Sequence, residues 1–255
     1  MPRQSIGDRD GDGFRLRGQH ATRLETFIDA SFAFSLTLLV ISYNQLPDTV
    51  AELRQALMRV PTFIASFALI AMFWNAHHRW SRRFGLHDGW TTLLGLAMVL
   101  TVLVYVYPLR MVISSFLSLL SGGWLPSELG VGTSGQLADV QAAFIIYSVG
   151  FGLLAWIMWR LNVHALRHAD ALALDDNERH QLGTEAGVYR ILFWVAVLSI
   201  LASLLVLWIA PAFDRRIMLL AGLPMWLYAA LSVVMPLYAM RRGRQWKARR
   251  PPGTE

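Results

Sequence analysis

Residues 23–44 read RLETFIDASFAFSLTLLVISYN, a charged beginning followed by a run of apolar and small side chains. A transmembrane helix needs about 20 mostly apolar residues, and the apolar run that contains this stretch is the first of six along the chain. The predicted spans cover residues 27–46, 60–78, 90–110, 140–160, 189–211 and 215–240. The sequence therefore predicts an all-α membrane protein with six transmembrane helices.

The connections between the predicted spans contain one ambiguous segment and one polar one. Pro108 predicts the end of the third helix, because proline has no backbone N–H to donate. The apolar residues 111–121 are then either a continuation of that helix or a short interfacial segment. The polar residues 161–187 predict a solvated connection. The expected organisation is a tail at 1–22, a membrane domain at 23–240 and a basic tail at 241–255.

Composition supports the membrane assignment and excludes several classes of soluble protein. Of the 255 residues, 55% are hydrophobic and 16% are charged, whereas soluble domains carry about 25% charged residues. The same apolar excess excludes intrinsic disorder. The chain has no cysteine, which excludes disulfides, thiolate metal sites and a cysteine nucleophile.

The distribution of basic residues predicts the orientation in the membrane. Eighteen of the 23 Lys and Arg residues lie in the two tails and in the second and fourth loops, and five lie on the other side. Because cytoplasmic segments collect Lys and Arg, both termini should be cytoplasmic. The tails then contact anionic headgroups of the lipid bilayer, and no nucleic acid is expected as a partner. The first 20 residues lack the apolar core of a cleavable signal peptide. We therefore expect a multi-pass protein of a bacterial cell inner membrane.

A short acidic motif in the N-terminal tail has the form of a calcium loop. Residues 8–13, DRDGDG, copy the opening of an EF-hand, but the twelfth position of that loop is Gln19 instead of the bidentate glutamate. No helix is expected on either side of the motif. The preferred interpretation is a flexible tail.

The histidines do not form a recognisable metal site. His77 and His78 are adjacent, so on a helix they point about 100° apart and cannot chelate one ion alone. His164 and His168 share one helical face beside Asp170, which is either a weak metal pair or an ordinary polar helix end. We expect no enzyme activity, no bound metal and no cofactor.

Asp29 lies inside the first apolar run, where an acidic side chain is costly unless it faces the protein interior and finds a partner. Arg23 is six residues away and roughly opposite on the helix, so it is not an ideal partner. Better candidates lie at the same depth near the end of the second span, namely Asn75, His77, His78 and Arg79. The alternative is that Asp29 only caps the first helix near the membrane surface.

A stripe of side chains runs along the first helix beyond Asp29. Phe34, Leu38, Ile41 and Gln45 follow helical spacing, and Thr37 borders them. In a symmetric oligomer such a stripe can line a narrow apolar pore that closes by excluding water. Ordinary packing between helices is the commoner reason for it.

The first two spans resemble a known family. Arg23, Phe27 and Asp29 reproduce most of an R-x-x-x-F-S-D signature, and the segments 36–40 (LTLLV) and 73–79 (FWNAHHR) continue the similarity. The chain resembles the transmembrane protein 175 family, which comprises endolysosomal potassium channels and their prokaryotic relatives. Six spans with both termini in the cytoplasm are similar to one repeat of that family.

The resemblance implies a potassium-permeable cation channel. In the family, four single-repeat subunits form a homotetramer whose pore is lined by the first helix, and potassium is the permeant ion. The family's apolar constriction falls on Phe34, Leu38 and Ile41, and its selectivity hydroxyl falls on Thr37. The network that holds the first helix falls on a further set of residues, namely Arg23, Phe27, Asp29, Trp74 and His77.

Two departures from the family pattern stand out. The signature serine is Ile28 in this chain, and the first constriction position is Phe34 instead of Leu or Ile. A secondary transporter is the second hypothesis, although it would need ionisable groups near the bilayer midplane. A non-conducting membrane scaffold is the third.

Overall fold

The computed structural model describes residues 9–18, 20–41, 48–129, 134–209 and 222–249, and over these residues the protein is helical with no strand. The ends of both predicted tails, at 1–8 and 250–255, lie outside the described residues. The helices are α1 (Arg23–Ile41), α2 (Val50–Leu57), α3 (Val60–Phe84), α4 (Gly89–Leu120), α5 (Ser134–Arg167), α6 (Asp176–Ile209), α7 (Leu223–Ala229) and α8 (Leu231–Arg249).

Five helical segments in the described part of the chain are long and apolar enough to cross a membrane. They are Val50–Phe84, Gly89–Leu120, Leu137–Arg167, Asp176–Ile209 and Leu223–Trp246. Together with α1, which has 19 residues and charged side chains in its first two turns, they correspond to the six predicted runs. The predicted all-α membrane fold with six helices is confirmed.

The third span is longer than the predicted 90–110. α4 continues through Pro108 to Leu120, so residues 111–120 extend the third span instead of forming a separate segment. Proline lacks the backbone N–H that would bond to the carbonyl four residues earlier, but the helix continues through the residues that follow Pro108. The helix ends where Gly123 donates its backbone N–H to the carbonyl of Ser118 at 2.7 Å.

Most of the polar stretch 161–187 is helical instead of an irregular connection. α5 extends to Arg167, and α6 begins at Asp176. Asp175 and Glu178 form a capping box, in which Glu178 donates its backbone N–H to the Asp175 side chain at 2.8 Å and Asp175 donates its own to Glu178 at 3.0 Å. The polar composition of 161–187 reflects solvation of helix ends that extend beyond the apolar spans.

The bundle is built around α4 and α5. α1 contacts α3 and α4, α5 lies between α4 and α6, and α7 and α8 pack against α6. The approach of α1 to α4 depends on Gly95, because a Cβ atom at that position would lie 2.9 Å from the Ile28 side chain. Ile28 is 1% exposed, so the residue that replaces the family's serine fills the space that Gly95 leaves open.

Candidate functional site on the first helix

One face of α1 is buried against the rest of the bundle. Ile28, Phe32, Ser35 and Leu39 are each at most 1% exposed. Their spacing of four, three and four residues follows the helical period, so they form one stripe. This stripe anchors α1 to the rest of the bundle, chiefly α3 and α4.

The opposite face of α1 is exposed in the single chain. Phe27 and Phe34 are 51% and 55% exposed, and Thr37 is exposed between them and the end of the helix. Leu38 is partly buried and packs against the core at the edge of this face. Ile41 ends α1, but its side chain lies outside the described residues, as does Gln45. Phe34 and Thr37 therefore share the exposed face, and Leu38 borders it.

Three hydroxyl groups of α1 are bonded within the helix. Each donates to a backbone carbonyl four residues earlier: Ser31 to Phe27 at 2.7 Å, Ser35 to Ser31 at 2.9 Å and Thr37 to Ala33 at 3.0 Å. A hydroxyl that donates in this way keeps acceptor lone pairs on its oxygen. Because Thr37 is exposed, its oxygen is available to water or to a cation along the outer face of α1.

The first turn of α1 is held by Glu25, which the sequence analysis did not single out. Thr22 and Glu25 form a capping box, with the Thr22 backbone N–H donating to Glu25 at 2.7 Å and the Glu25 backbone N–H donating to the Thr22 hydroxyl at 3.2 Å. Ser81 near the end of α3 donates its hydroxyl to the other Glu25 oxygen. The T-x-x-E spacing at 22–25 is a recognised capping signature, so the sequence contained the signal.

Asp29 has a partner on α3. The indole Nε1 of Trp74 donates to the Asp29 carboxylate at 2.8 Å, and the Trp74 ring stacks on His78 with centroids 5.6 Å apart. His77 is 4% exposed and lies beside Trp80, with ring centroids 6.4 Å apart. The expected requirement of Asp29 for a hydrogen-bonding partner on the second span is met by Trp74.

The other two residues of the predicted network are directed outward. Arg23 is exposed on the first turn of α1, and no hydrogen bond within the described part of the chain joins it to Asp29 or Trp74. Phe27 is half exposed. Within a single chain, the structure brings together Asp29 and Trp74 and leaves Arg23 and Phe27 on the outer face.

The helices that carry this site match a known family. The family model of the endosomal/lysosomal potassium channel TMEM175 matches residues 23–108, from α1 into α4. A relative named "Potassium channel" from Marivirga tractuosa is 29% identical over 233 residues, which is 91% of this chain and 93% of the relative. The chain is therefore similar to the TMEM175 family over α1 to α3 and part of α4, and to a potassium channel over most of its length.

A solved structure extends the similarity to the whole bundle. The crystal structure of a variant of the potassium channel MtTMEM175, in complex with a nanobody–MBP fusion protein, superposes with a TM-score of 0.71 at 27% identity. The match covers 92% of this chain and 100% of that chain. The predicted resemblance to the TMEM175 family is therefore confirmed.

The N-terminal tail folds onto the bundle, so the expectation of a flexible tail is wrong for residues 9–18. Arg83 of α3 is 1% exposed and contacts Asp10 at 2.7 Å, Asp12 at 2.5 Å and Glu185 of α6 at 2.8 Å. Its guanidinium also lies 4.1 Å from the ring centre of the fully buried Phe14. Asp10 and Asp12 of the EF-hand-like motif thus neutralise a buried arginine.

A second buried ion pair fixes the tail to α6. Arg17 contacts Glu178 at 2.8 Å, and Glu178 is 1% exposed. Glu178 also accepts the backbone N–H of Arg15 at 2.8 Å. Burial opposes the ionisation of Asp10, but its hydrogen bond with Arg83, the backbone N–H groups of Phe14 and Asp12 and the charge of Arg83 together outweigh that effect and lower the pKa of the Asp10 carboxyl. The tail is thus held between α3 and α6 by charged groups.

The histidine pair of the sequence analysis has a different acidic neighbour from the one expected. Asp170 is exposed and contacts Arg179 at 2.5 Å. Asp88, which precedes α4, instead lies 2.5 Å from the Nε2 atom of His164, and His168 completes a group with ligand atoms within 4.8 Å of one another.

Proposed function

We propose that this protein is a potassium-permeable cation channel that assembles as a homotetramer around a pore lined by α1. The observation that carries the proposal is the two-sided character of α1: one stripe is buried against the bundle, and the opposite face, with Phe34 and Thr37, is exposed in the single chain. The relative from Marivirga tractuosa is named a potassium channel, which supports the same activity in this chain.

The composition of the exposed face favours contact with other subunits over contact with lipid. The exposed face of α1 carries Arg23 in its first turn and Thr37 further along, whereas Glu25 and Asp29 are bonded to α3. Charged and hydroxyl side chains within a membrane protein generally face the bundle interior or a water-filled cavity, because hydrocarbon does not solvate them. Surrounding α1 with copies of itself removes this face from lipid.

In the proposed mechanism, large apolar side chains close the pore. Four Phe34 rings at one level would form a constriction that excludes water, and an ion cannot pass a dewetted segment. Leu38 and Ile41 would narrow the pore on the same side of α1. Thr37 would offer hydroxyl oxygens to a partly dehydrated potassium ion next to the constriction.

Opening would require α1 to move relative to α3 and α4. The contacts that resist this movement are the buried stripe of α1, the bond from Ser81 to Glu25 and the bond from Trp74 to Asp29. The proposed signature network of Arg23, Phe27, Asp29, Trp74 and His77 would set the position of α1 in the closed state. Arg23 and Phe27 would then contact a neighbouring subunit.

The proposed orientation has both termini in the cytoplasm and the protein in a bacterial inner membrane. The excess of Lys and Arg in the tails and in the second and fourth loops supports it. The ion pairs that fix residues 9–18 to α3 and α6 would accordingly lie on the cytoplasmic side.

Ion flux from liposomes tests the proposal. Purified protein, shown to be tetrameric on the same sample by mass measurement, should release potassium down its gradient without proton coupling. Phe34→Ala should raise the flux, and Thr37→Ala should reduce the preference for potassium over sodium. Proton-coupled uptake would favour a secondary transporter. A folded tetramer without flux, in the wild type and in Phe34→Ala, would favour a non-conducting scaffold.

A further inference from the structure

Three side chains with metal-ligating atoms meet where the connection between α3 and α4 approaches the end of α5. Asp88 is the N-cap of α4, His164 lies in the last turn of α5 and His168 follows one turn later. Asp88 and His164 are 76 positions apart in the chain. One ligand atom from each of the three residues lies within 4.8 Å of the other two.

The ring of His168 is oriented as in many metal sites. Its Nδ1 lies 3.0 Å from the backbone carbonyl oxygen of His164. A carbonyl oxygen only accepts hydrogen bonds, so Nδ1 carries the proton and Nε2 of the neutral ring keeps its lone pair. Metal-binding histidines usually donate their other ring N–H to a carbonyl or carboxylate in this way, which fixes the tautomer.

The two carboxylate oxygens of Asp88 have separate partners. Oδ1 accepts the backbone N–H of Thr91 at 2.8 Å and thereby caps α4, whereas Oδ2 lies 2.5 Å from Nε2 of His164. Burial opposes ionisation of Asp88, but the hydrogen bonds from Thr91 and His164 lower its pKa to about 2. The side chains of His164 and Asp88 are 13% and 42% exposed, so solvent reaches the cluster.

We propose that Asp88, His164 and His168 bind a divalent transition-metal ion of the zinc type, with water as a fourth ligand. Two imidazoles and one carboxylate are a common zinc ligand set, whereas calcium and magnesium prefer oxygen alone. At bond lengths of about 2.0–2.1 Å, tetrahedral ligands lie about 3.3 Å apart. The contact between Asp88 and His164 therefore needs to open by less than about 1 Å.

Metal binding at this place would join the connection between α3 and α4 to the connection between α5 and α6. The ion would tie the beginning of α4 to the end of α5 and to the turn that precedes α6. A ligand that binds the folded chain and not the unfolded one raises the melting temperature. The proposal concerns the helix ends and is independent of ion permeation along α1.

Zinc titration of the full-length protein in detergent tests the site, after removal of any histidine tag that would itself bind zinc. Calorimetry should give one Zn²⁺ per chain, and millimolar Mg²⁺ should not compete. Co²⁺ should produce the visible absorption bands of a tetrahedral site. The melting temperature should rise on addition of Zn²⁺.

Three variants identify the ligands. His168→Ala and Asp88→Asn should each weaken Zn²⁺ binding at least ~10-fold, as loss of a metal-site group generally does, and asparagine should retain the cap of α4. His87→Ala, which changes the exposed neighbour of Asp88, is the matched control and should bind Zn²⁺ as the wild type does. Absence of saturable zinc binding by the folded wild type would overturn the proposal. Equal affinity in the wild type, His168→Ala and Asp88→Asn would overturn it as well.

Discussion

Arg83 and Phe34 are large side chains in opposite environments. Arg83 is 1% exposed although it is charged, and Phe34 is 55% exposed although it is apolar. Both reverse the usual burial preference, but for different reasons. Arg83 is buried because Asp10, Asp12 and Glu185 neutralise it within the same chain. Phe34 lies on a face of α1 that is exposed among the residues the structure describes.

The difference between the two environments indicates which substitutions should lower the stability of the fold and which should alter ion transport. A buried ion pair is sensitive to the loss of one partner, because the remaining charge is left without compensation. A side chain on an exposed face contributes little to the packing of its own chain, so its replacement should alter what passes along that face. Four predictions test this contrast, in order of decreasing effect.

Arg83→Ala should give the largest loss of stability. It leaves the carboxylates of Asp10 and Glu185, which are 22% and 37% exposed, without their cation. Breaking a fully buried pair costs about 3–5 kcal/mol, and the partial solvation of these carboxylates makes that range the upper limit. Arg79→Ala is the control, since Arg79 is 49% exposed and lies 3.7 Å from Asp12. That change should cost at most about 1 kcal/mol. Thermal unfolding in detergent, followed by circular dichroism, measures both, and equal losses would contradict the assignment of Arg83 as the centre of the tail contacts.

Phe32→Ala and Phe34→Ala compare the two faces of α1 with the same substitution. Phe32 is 1% exposed, and truncation of a buried phenylalanine costs about 3 kcal/mol through lost packing. Phe34→Ala should leave the unfolding of the chain almost unchanged and raise potassium flux in liposomes. If Phe34→Ala lowers stability as much as Phe32→Ala, or leaves flux unaltered, the proposed division of α1 into a packing face and a pore face fails.

Trp74→Phe removes the hydrogen bond to Asp29 and keeps an aromatic ring. Leaving a half-buried carboxylate without its donor should cost about 1–3 kcal/mol. The melting temperature should fall less than in Arg83→Ala, and flux should change because α1 is held less firmly. A double variant with Asp29→Asn provides the test of coupling: if the two changes are additive, Trp74 and Asp29 do not act through their mutual bond.

The smallest expected effect is on the pH dependence of the stability of the folded chain. The pKa of Asp10 is lower in the folded chain than in the unfolded one, so its stabilising contribution is complete above the unfolded value of about 4 and is lost as the pH falls through the folded value. Asp10→Asn should therefore reduce the acid sensitivity of unfolding below about pH 4. The slope of melting temperature against pH measures this, and identical slopes in the wild type and Asp10→Asn would exclude Asp10 as a contributor.

The fold could be predicted from local composition, because each span is an apolar run of sufficient length. The ends of the helices were harder to predict from the sequence. Asp175 with Glu178 and Thr22 with Glu25 form capping boxes that local spacing contains, but the polar composition of 161–187 drew attention to solvation instead of helix propagation. Pro108 lies inside α4 and does not end it.

The site on α1 was predictable in part, from helical geometry. Three residues turn a helix by about 300° and four by about 400°, so Thr37 and Leu38 lie on opposite sides of Phe34. The buried stripe lies on the side of Leu38, which explains why Leu38 is partly covered and Thr37 is not. The contacts of Arg83 could not be predicted, since its three carboxylates come from positions 10, 12 and 185 and no local pattern links them.

The folded tail also limits how far α1 can travel. Gly18 donates its backbone N–H to the carbonyl of Arg82 at 3.0 Å, and a Cβ atom on Gly18 would lie 2.6 Å from the Ser81 carbonyl. From this fixed point, only four peptide links lead to Thr22, the cap of α1. At no more than about 3.6 Å each, these links span at most about 14 Å when fully extended. Thr22 therefore cannot lie farther than this from Gly18. A movement of α1 that requires a larger separation must pull on the end of α3.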